Sequence, residues 1–211
     1  MANTTTVKKP RFKRQRRLGL ELPGLGKEGA LDRRPYPPGQ HGTQRRKLSE
    51  YALRLEEKQK ILNHYCMKEK QLRRFIREAK SGQVTDWIDK LVGRLERRLD
   101  NLVFRLGFAP SIPAARQMIG HGHVHVNGGK CDIGSRVLMV GDKITLAEKM
   151  YTGVSYMQAS QSPRLELADY LGKEKEGKAE VGVLRDIPKL EHLPFPFEQG
   201  LLAEYYAARK V

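Results

Sequence analysis

Across residues 94–106, leucines and arginines separate at the helical period. Leu95, Leu99, Leu102, Val103 and Leu106 share one stripe, while Arg94, Arg97, Arg98, Asn101 and Arg105 share another. The pattern predicts one amphipathic helix, leucines in a core and a row of guanidinium groups outward, ended by Gly107 as a cap glycine. Ser111 as cap, Pro113 in the first turn and apolar Ala114, Ala115, Met118 and Ile119 predict a second, short helix. Arg116 and Gln117 fall on its outer side, and Gly120 and Gly122 stop it. The period then drops to two over His123-Val124-His125-Val126, and Asn127-Gly128 follows, the strongest short hairpin signal. Residues 130–133 should return as the partner strand, with residues 143–146 as a third.

The flanking pattern is mostly helical. Tyr51, Leu55, Leu62 and Tyr65 repeat at helical spacing after Ser49. Leu72, Phe75 and Ile76 face one way in residues 71–80, with Arg73, Arg74 and Arg77 elsewhere. Thr85 is positioned to cap a further helix carrying Trp87, Ile88, Leu91 and Val92, with Trp87 as core packing. Residues 151–162 have weak periodicity, residues 172–178 read as a solvated charged loop, and residues 181–187 read as extended. Leu201, Leu202, Tyr205 and Tyr206 mark a closing helix that is too short to stand alone and should dock on the first helical unit. Residues 1–47 lack a period, and repeated Pro and Gly predict an extended arm that orders only on its partner.

Charge sharpens this picture. The 211 residues carry a formal net charge of +16. Residues 1–47 hold 13 Lys/Arg and 3 Asp/Glu, net +10; residues 48–150 are net +7 and residues 151–211 net −1. A polyanion met by the first two parts is the economical reading, nucleic acid ahead of an anionic membrane surface. A solvated charged face is the plainer alternative for residues 94–146. Cys66 and Cys131 are too few and too far apart for a disulfide framework, which suggests a reducing compartment. No run approaches a membrane span, and the N-terminus lacks a secretory apolar core.

Catalytic chemistry finds little support. Asp86 with Asp89, and Glu96 with Asp100, sit at helix-surface spacings better read as pairing with nearby arginines. There is no Gly-rich phosphate loop followed by Lys-Ser/Thr, and no Ser, Cys or His in a nucleophile setting. His121, His123 and His125 alternate opposite Cys131, so a zinc site is conceivable. In a surface rich in Arg and Lys, imidazoles more often donate to phosphate or stack on a base, and no metal or cofactor is expected.

Arg97-Arg98-Leu99-Asp100, Arg105-Leu106-Gly107-Phe108-Ala109, Ala115-Arg116-Gln117, His121-Gly122-His123-Val124 and Val126-Asn127-Gly128 resemble a small helix–hairpin RNA-binding module. That module recurs in some pseudouridine synthases and in a tyrosyl-tRNA synthetase tail. The module usually has Ser-Arg before its second helix; here Ser111-Ile112-Pro113 stands, so no RNA contact carries over at that place. Arg14-Gln15-Arg16-Arg17-Leu18-Gly19, Pro37-Pro38-Gly39-Gln40-His41-Gly42 and residues 45–60 resemble the family of bacterial small-subunit ribosomal protein number four. This block places the basic N-terminus inside the mature protein, against a transit peptide. With no cysteine before Cys66, the chain resembles the zinc-free form of that family.

The resemblance implies a structural constituent of the 30S subunit, not an enzyme, cytoplasmic and within the ribosome. It implies binding to the 5′ domain of 16S rRNA, nucleation of assembly, a part in translational accuracy, and contacts with the protein numbered five and with mRNA near its entry. An RNA-modifying enzyme or a free RNA chaperone using the same module is the alternative. The expected fold is α+β: an extended basic arm (1–47), a helical domain (48–93, completed by 194–211) and an inserted RNA-binding domain (94–193, core motif 94–146). The expected RNA-binding residues are Arg14, Arg16, Arg17, Gln40, His41, Arg45, Arg46, Lys47, Arg94, Arg97, Arg98, Asn101, Arg105, Arg116, Gln117, His121, His123, Asn127 and Lys130.

Overall fold

A computed structural model describes residues 10–26, 28–29, 31–44, 47–81, 86–177 and 179–207. The fold is α+β, with two apolar clusters. The first six helices are α1 (Arg11–Leu18), α2 (Glu50–His64), α3 (Glu69–Lys80), α4 (Trp87–Glu96), α5 (Leu99–Arg105) and α6 (Ile112–Gly120). Then come β1 (Val124–Val126), β2 (Gly129–Lys130), β3 (Lys143–Leu146), α7 (Val154–Gln161), β4 (Leu171–Glu176), β5 (Ala179–Leu184) and α8 (Gln199–Ala207). The five strands form one antiparallel sheet in the order β2-β1-β3-β5-β4.

One cluster gathers Ile61, Leu72, Phe75, Leu91 and Leu95 with Leu202, Tyr205 and Tyr206 of α8. Lys58 secures α8 to α2 by donating to the Tyr205 hydroxyl at 2.9 Å. The other cluster packs Leu99, Leu102, Val103 and Leu106 against Ala115, Ile119, Val124, Ile144 and Leu184. The leucine stripe therefore lies in the core as its period predicts. Ser49 caps α2 by accepting from the Ala52 N–H, and Ser111 caps α6 by accepting from the Ala114 N–H, both at 3.3 Å. Asn127 and Gly128 have φ of 52° and 80°, the two positive values that a tight hairpin turn demands. Thr85 lies outside the described residues; Asp86 occupies the cap position of α4 and makes no side-chain cap bond.

Four expectations are corrected. The single helix over residues 94–106 is two helices. Arg98 is extended (φ −66°, ψ 138°) and bridges Val137. The Leu99 and Asp100 N–H groups donate to Arg136 O (2.8 Å) and Gly134 O (3.0 Å), so a distant loop satisfies the start of α5. The arm is not extended throughout. Residues 11–18 are helical, and Leu22 and Leu25, the latter in a 3₁₀ turn (Pro23–Leu25), are fully buried in the helical cluster.

Third, residues 172–176 of the charged stretch belong to strand β4, paired with β5 in a hairpin. Lys173, Glu174 and Lys175 are exposed on this edge strand, where their charges discourage further pairing. Last, the return strand after Asn127-Gly128 is only Gly129–Lys130. Trp87 is half-buried at the edge of the helical cluster, with Lys80 Nζ 4.7 Å from its ring centre.

Candidate nucleic-acid interface

The predicted outward row of arginines does not exist as such. Glu96, at the end of α4, is fully buried. Its carboxylate accepts from Arg105 Nε (3.0 Å), Asn101 Nδ2 (2.9 Å), the Tyr170 hydroxyl (2.7 Å) and the Tyr65 hydroxyl. Burial pushes the carboxyl upward, but Arg105 and the tyrosine donors outweigh it and hold Glu96 below the ordinary range. Arg105 also donates to His192 O. Asp100 is buried too. It takes both Arg98 Nε (3.0 Å) and Nη2 (2.8 Å), and Arg116 Nε at 2.6 Å. Charged groups so buried persist only when paired, so these bonds hold the fold. The sequence reading was right that Glu96 and Asp100 pair with arginines, and wrong that they do so on a helix surface.

Arg98, Asn101 and Arg105 are therefore withdrawn from the surface. Arg94 pairs with Glu78 on α3, and Arg97 donates to Gly93 O at 3.1 Å. Arg116 turns its remaining guanidinium nitrogens onto Cys66 O (2.6 Å) and Tyr65 O (2.7 Å), the carbonyls of the turn that follows α2. Arg16 donates to Tyr36 O at 2.9 Å and lies 5.0 Å from the centre of the Tyr36 ring, folding the Pro-rich loop back onto α1.

What remains outward forms a belt. Burial lifts the Cys66 thiol above its ordinary range, opposed by the charges of Arg116, Arg14 and Arg11. α1 packs on α2, and the 3₁₀ turn that follows it packs against α6, where a Cβ added at Gly24 would lie 2.8 Å from the Ile112 side chain. Gln117 and His121 are exposed on and just after α6, and Lys130 is exposed on β2. A Cβ added at Gly122, whose φ is +73°, would lie 2.0 Å from Lys130 Cε, so the lysine crosses directly over that glycine. Gly122 also closes α6: its N–H donates to Ile119 O (2.8 Å) and the His123 N–H to Met118 O (3.0 Å). His123 sits 6.0 Å from His121, ring edge to face. It is held below the ordinary histidine range by desolvation, then by Lys149, His121 and Lys130.

The Ala147 N–H donates to His123 O at 2.9 Å, which brings exposed Lys149, two residues on, to this face; the sequence reading missed it. It lies in a 3₁₀ turn (Glu148–Met150) beyond β3, and only the sheet brings it back. Asn127 is exposed but occupied. Its side chain donates to Asp142 at 2.8 Å and accepts the Lys143 N–H at 2.8 Å, tying the hairpin to β3. Arg17, Gln40, His41 and Lys47 are exposed, away from any regular element except α1 for Arg17; Arg45 and Arg46 lie outside the described residues. Imidazole, amide and ammonium groups on a rigid helix–hairpin suit phosphate oxygens and unstacked bases. No described helix is long and apolar enough to cross a membrane.

Comparison with known proteins identifies relatives along nearly the whole chain. The Ribosomal protein S4/S9 N-terminal domain family matches residues 6–101, and the S4 domain family matches residues 97–144. A relative from Bdellovibrio bacteriovorus named small ribosomal subunit protein uS4B is 59% identical over 202 residues, covering 96% of this chain and 97% of the relative. Relatives named small ribosomal subunit protein uS4 from Crocosphaera subtropica and Methylobacillus flagellatus are 45% and 41% identical over 203 residues each. They cover 96% and 95% of this chain, and 97% of each relative. The chain belongs to the bacterial uS4 family of small-ribosomal-subunit proteins.

Proposed function

We propose that this chain is a structural constituent of the bacterial small ribosomal subunit that holds 16S rRNA through the belt formed by α1, α6 and the β1–β2 hairpin. It is not an enzyme: a family of ribosome components extends over nearly its whole length. The observation that carries the RNA contact is the gathering of His121, His123, Lys130 and Lys149 at the hairpin end of α6, on which Gln117 is exposed, with buried ion pairs in the fold behind them. Lys130 and Lys149 neutralise backbone phosphates. Gln117 and the histidines donate to phosphate or base edges, and Arg14 and Arg17 extend the track along α1. Recognition of this kind reads the shape of a junction more than its sequence.

The finer reading follows the family resemblance. The RNA segment is the 5′ domain of 16S rRNA, and early binding there nucleates assembly. The chain lies beside the ribosomal protein numbered five and near incoming mRNA, contributes to translational accuracy, and works in the cytoplasm. The exposed Gln40, His41 and Lys47 give this reading further contacts outside the belt.

The test is a hydroxyl-radical footprint of the protein on a 16S 5′-domain transcript. Protection confined to one multi-helix junction, with no nucleotide modified, supports the proposal. Diffuse protection along the transcript, or a modified base, overturns it.

A further inference from the structure

We propose that the outer face of α3 is a second phosphate-binding surface, one that grips a different stretch of RNA backbone from the hairpin belt. Lys70, Arg74 and Arg77 fall within about 60° of one another on the helix and span about 10 Å along it. All three are exposed, with Arg73 and Lys80 flanking them. Over such a length a nucleic-acid backbone presents several phosphates. The inference rests on the RNA-binding reading above and adds to it a face that reading does not use.

The acids of α3 leave this stripe charged. Glu69 is engaged by Lys58 at 3.1 Å, by Arg73 at 3.4 Å and by the Tyr206 hydroxyl at 3.2 Å. Glu78 binds Arg94 of α4 and reaches Arg74 only at 3.7 Å. Among the described residues, neither Lys70 nor Arg77 has an acid within ion-pair distance. Both carboxylates are thus drawn toward neighbouring helices, and the cations are left for a partner. The inner face is fixed, because Leu72, Phe75, Ile76 and Ala79 are buried. No large apolar side chain of α3 is exposed, so the face offers nothing for apolar docking of a protein.

α3 is also rigidly coupled to the belt. The Arg98 guanidinium lies 5.5 Å from the centre of the Phe75 ring while pairing with Asp100, which in turn holds Arg116 of α6. Both faces therefore stand on one buried network and can fix two RNA elements at a set angle.

The experiment compares the full chain with a Lys70→Gln/Arg74→Gln/Arg77→Gln variant on the 16S 5′-domain transcript. The expected result is a log–log salt slope shallower by roughly 2–3 and affinity weaker by about tenfold or more. One set of footprinted nucleotides should be lost while the set lost by Lys130→Gln persists. A Lys175→Gln/Arg185→Gln/Lys189→Gln variant, with equal charge removed elsewhere, should keep the parental slope. So should the charge-preserving Lys70→Arg/Arg74→Lys/Arg77→Lys variant, which guards against a folding artefact. If the α3 variant binds like the parent while Lys130→Gln weakens binding, the second face is overturned and RNA binding by the belt stands. If the parent itself shows no salt-dependent binding, both proposals fall.

Discussion

Arg105 donates from Nε to the Glu96 carboxylate at 3.0 Å, with both side chains buried. The contact joins the end of α4 to the end of α5 across the break between them. Through Tyr65 and Tyr170 it also reaches α2 and the start of β4. Removing one partner strands the other as an unpaired buried charge. We predict that Arg105→Ala and Glu96→Gln each destabilise the fold by about 3–5 kcal/mol. Urea unfolding measures this. A parental midpoint for Arg105→Ala, with RNA affinity lost, would return that arginine to the binding surface.

His64 gives a pH signature. It is fully buried, its Nδ1 accepts the Gly24 N–H at 3.3 Å, and burial, partly opposed by Glu96, pushes its pKa down to about 3. The unfolded chain protonates this histidine below about 6.5, whereas the folded protein does not. Its contribution is complete above pH 6.5 and is lost as pH falls toward 3, by up to about 1.4 kcal/mol per unit. Between pH 6.5 and 4.5 few carboxylates titrate, and His123, also lowered, adds to the decline, so the difference between the parent and a His64 variant reports His64. Melting should therefore decline across that window in the parent and decline less steeply in His64→Phe, which is also less stable because Gly24 loses its acceptor. An equally steep decline in the variant would be evidence against this assignment.

The start of the chain is predicted to be part of the core. Leu25→Ala should cost about 2–5 kcal/mol, as truncations of buried leucine do. Deleting residues 1–26 should lower thermal stability as well as RNA affinity. Amide hydrogen exchange in the RNA-free protein is the direct check: α1 should be protected. Rapid exchange throughout residues 11–25 would mean that the segment does not dock without RNA.

The hairpin belt separates binding from stability. Lys130→Gln and Gln117→Ala should each weaken rRNA binding and leave the melting temperature within the range of ordinary surface changes, about 0.5 kcal/mol. Lys130→Gln should also reduce the salt slope by about 1. Gly122→Ala differs: it strains a positive φ and meets Lys130, so it should lose stability along with affinity.

The leucine stripe, the Ser49 and Ser111 caps, the Asn127-Gly128 turn and the cationic balance were all legible in the sequence, because each depends on residues a few positions apart. Their physics is local: period, cap and turn are set by backbone geometry. The family motifs were legible for the same reason, as short runs of neighbours. The helix break at Arg98 was not, because the carbonyls that open it belong to Gly134 and Arg136. Nor was the fate of Arg98 and Arg105. A helical wheel separates charged from apolar positions, but it cannot say that a buried carboxylate waits opposite the charged stripe. Glu96 and Asp100 turn that stripe inward, and burial makes pairing obligatory. Lys149 and the two leucines after α1 likewise owe their places to contacts far away in the chain. The sequence by itself determined the apolar stripes, the caps, the hairpin turn and that the chain is strongly cationic. Only the tertiary structure decided which cations bind the fold together and which stay exposed, since that choice depends on where the few buried acids lie.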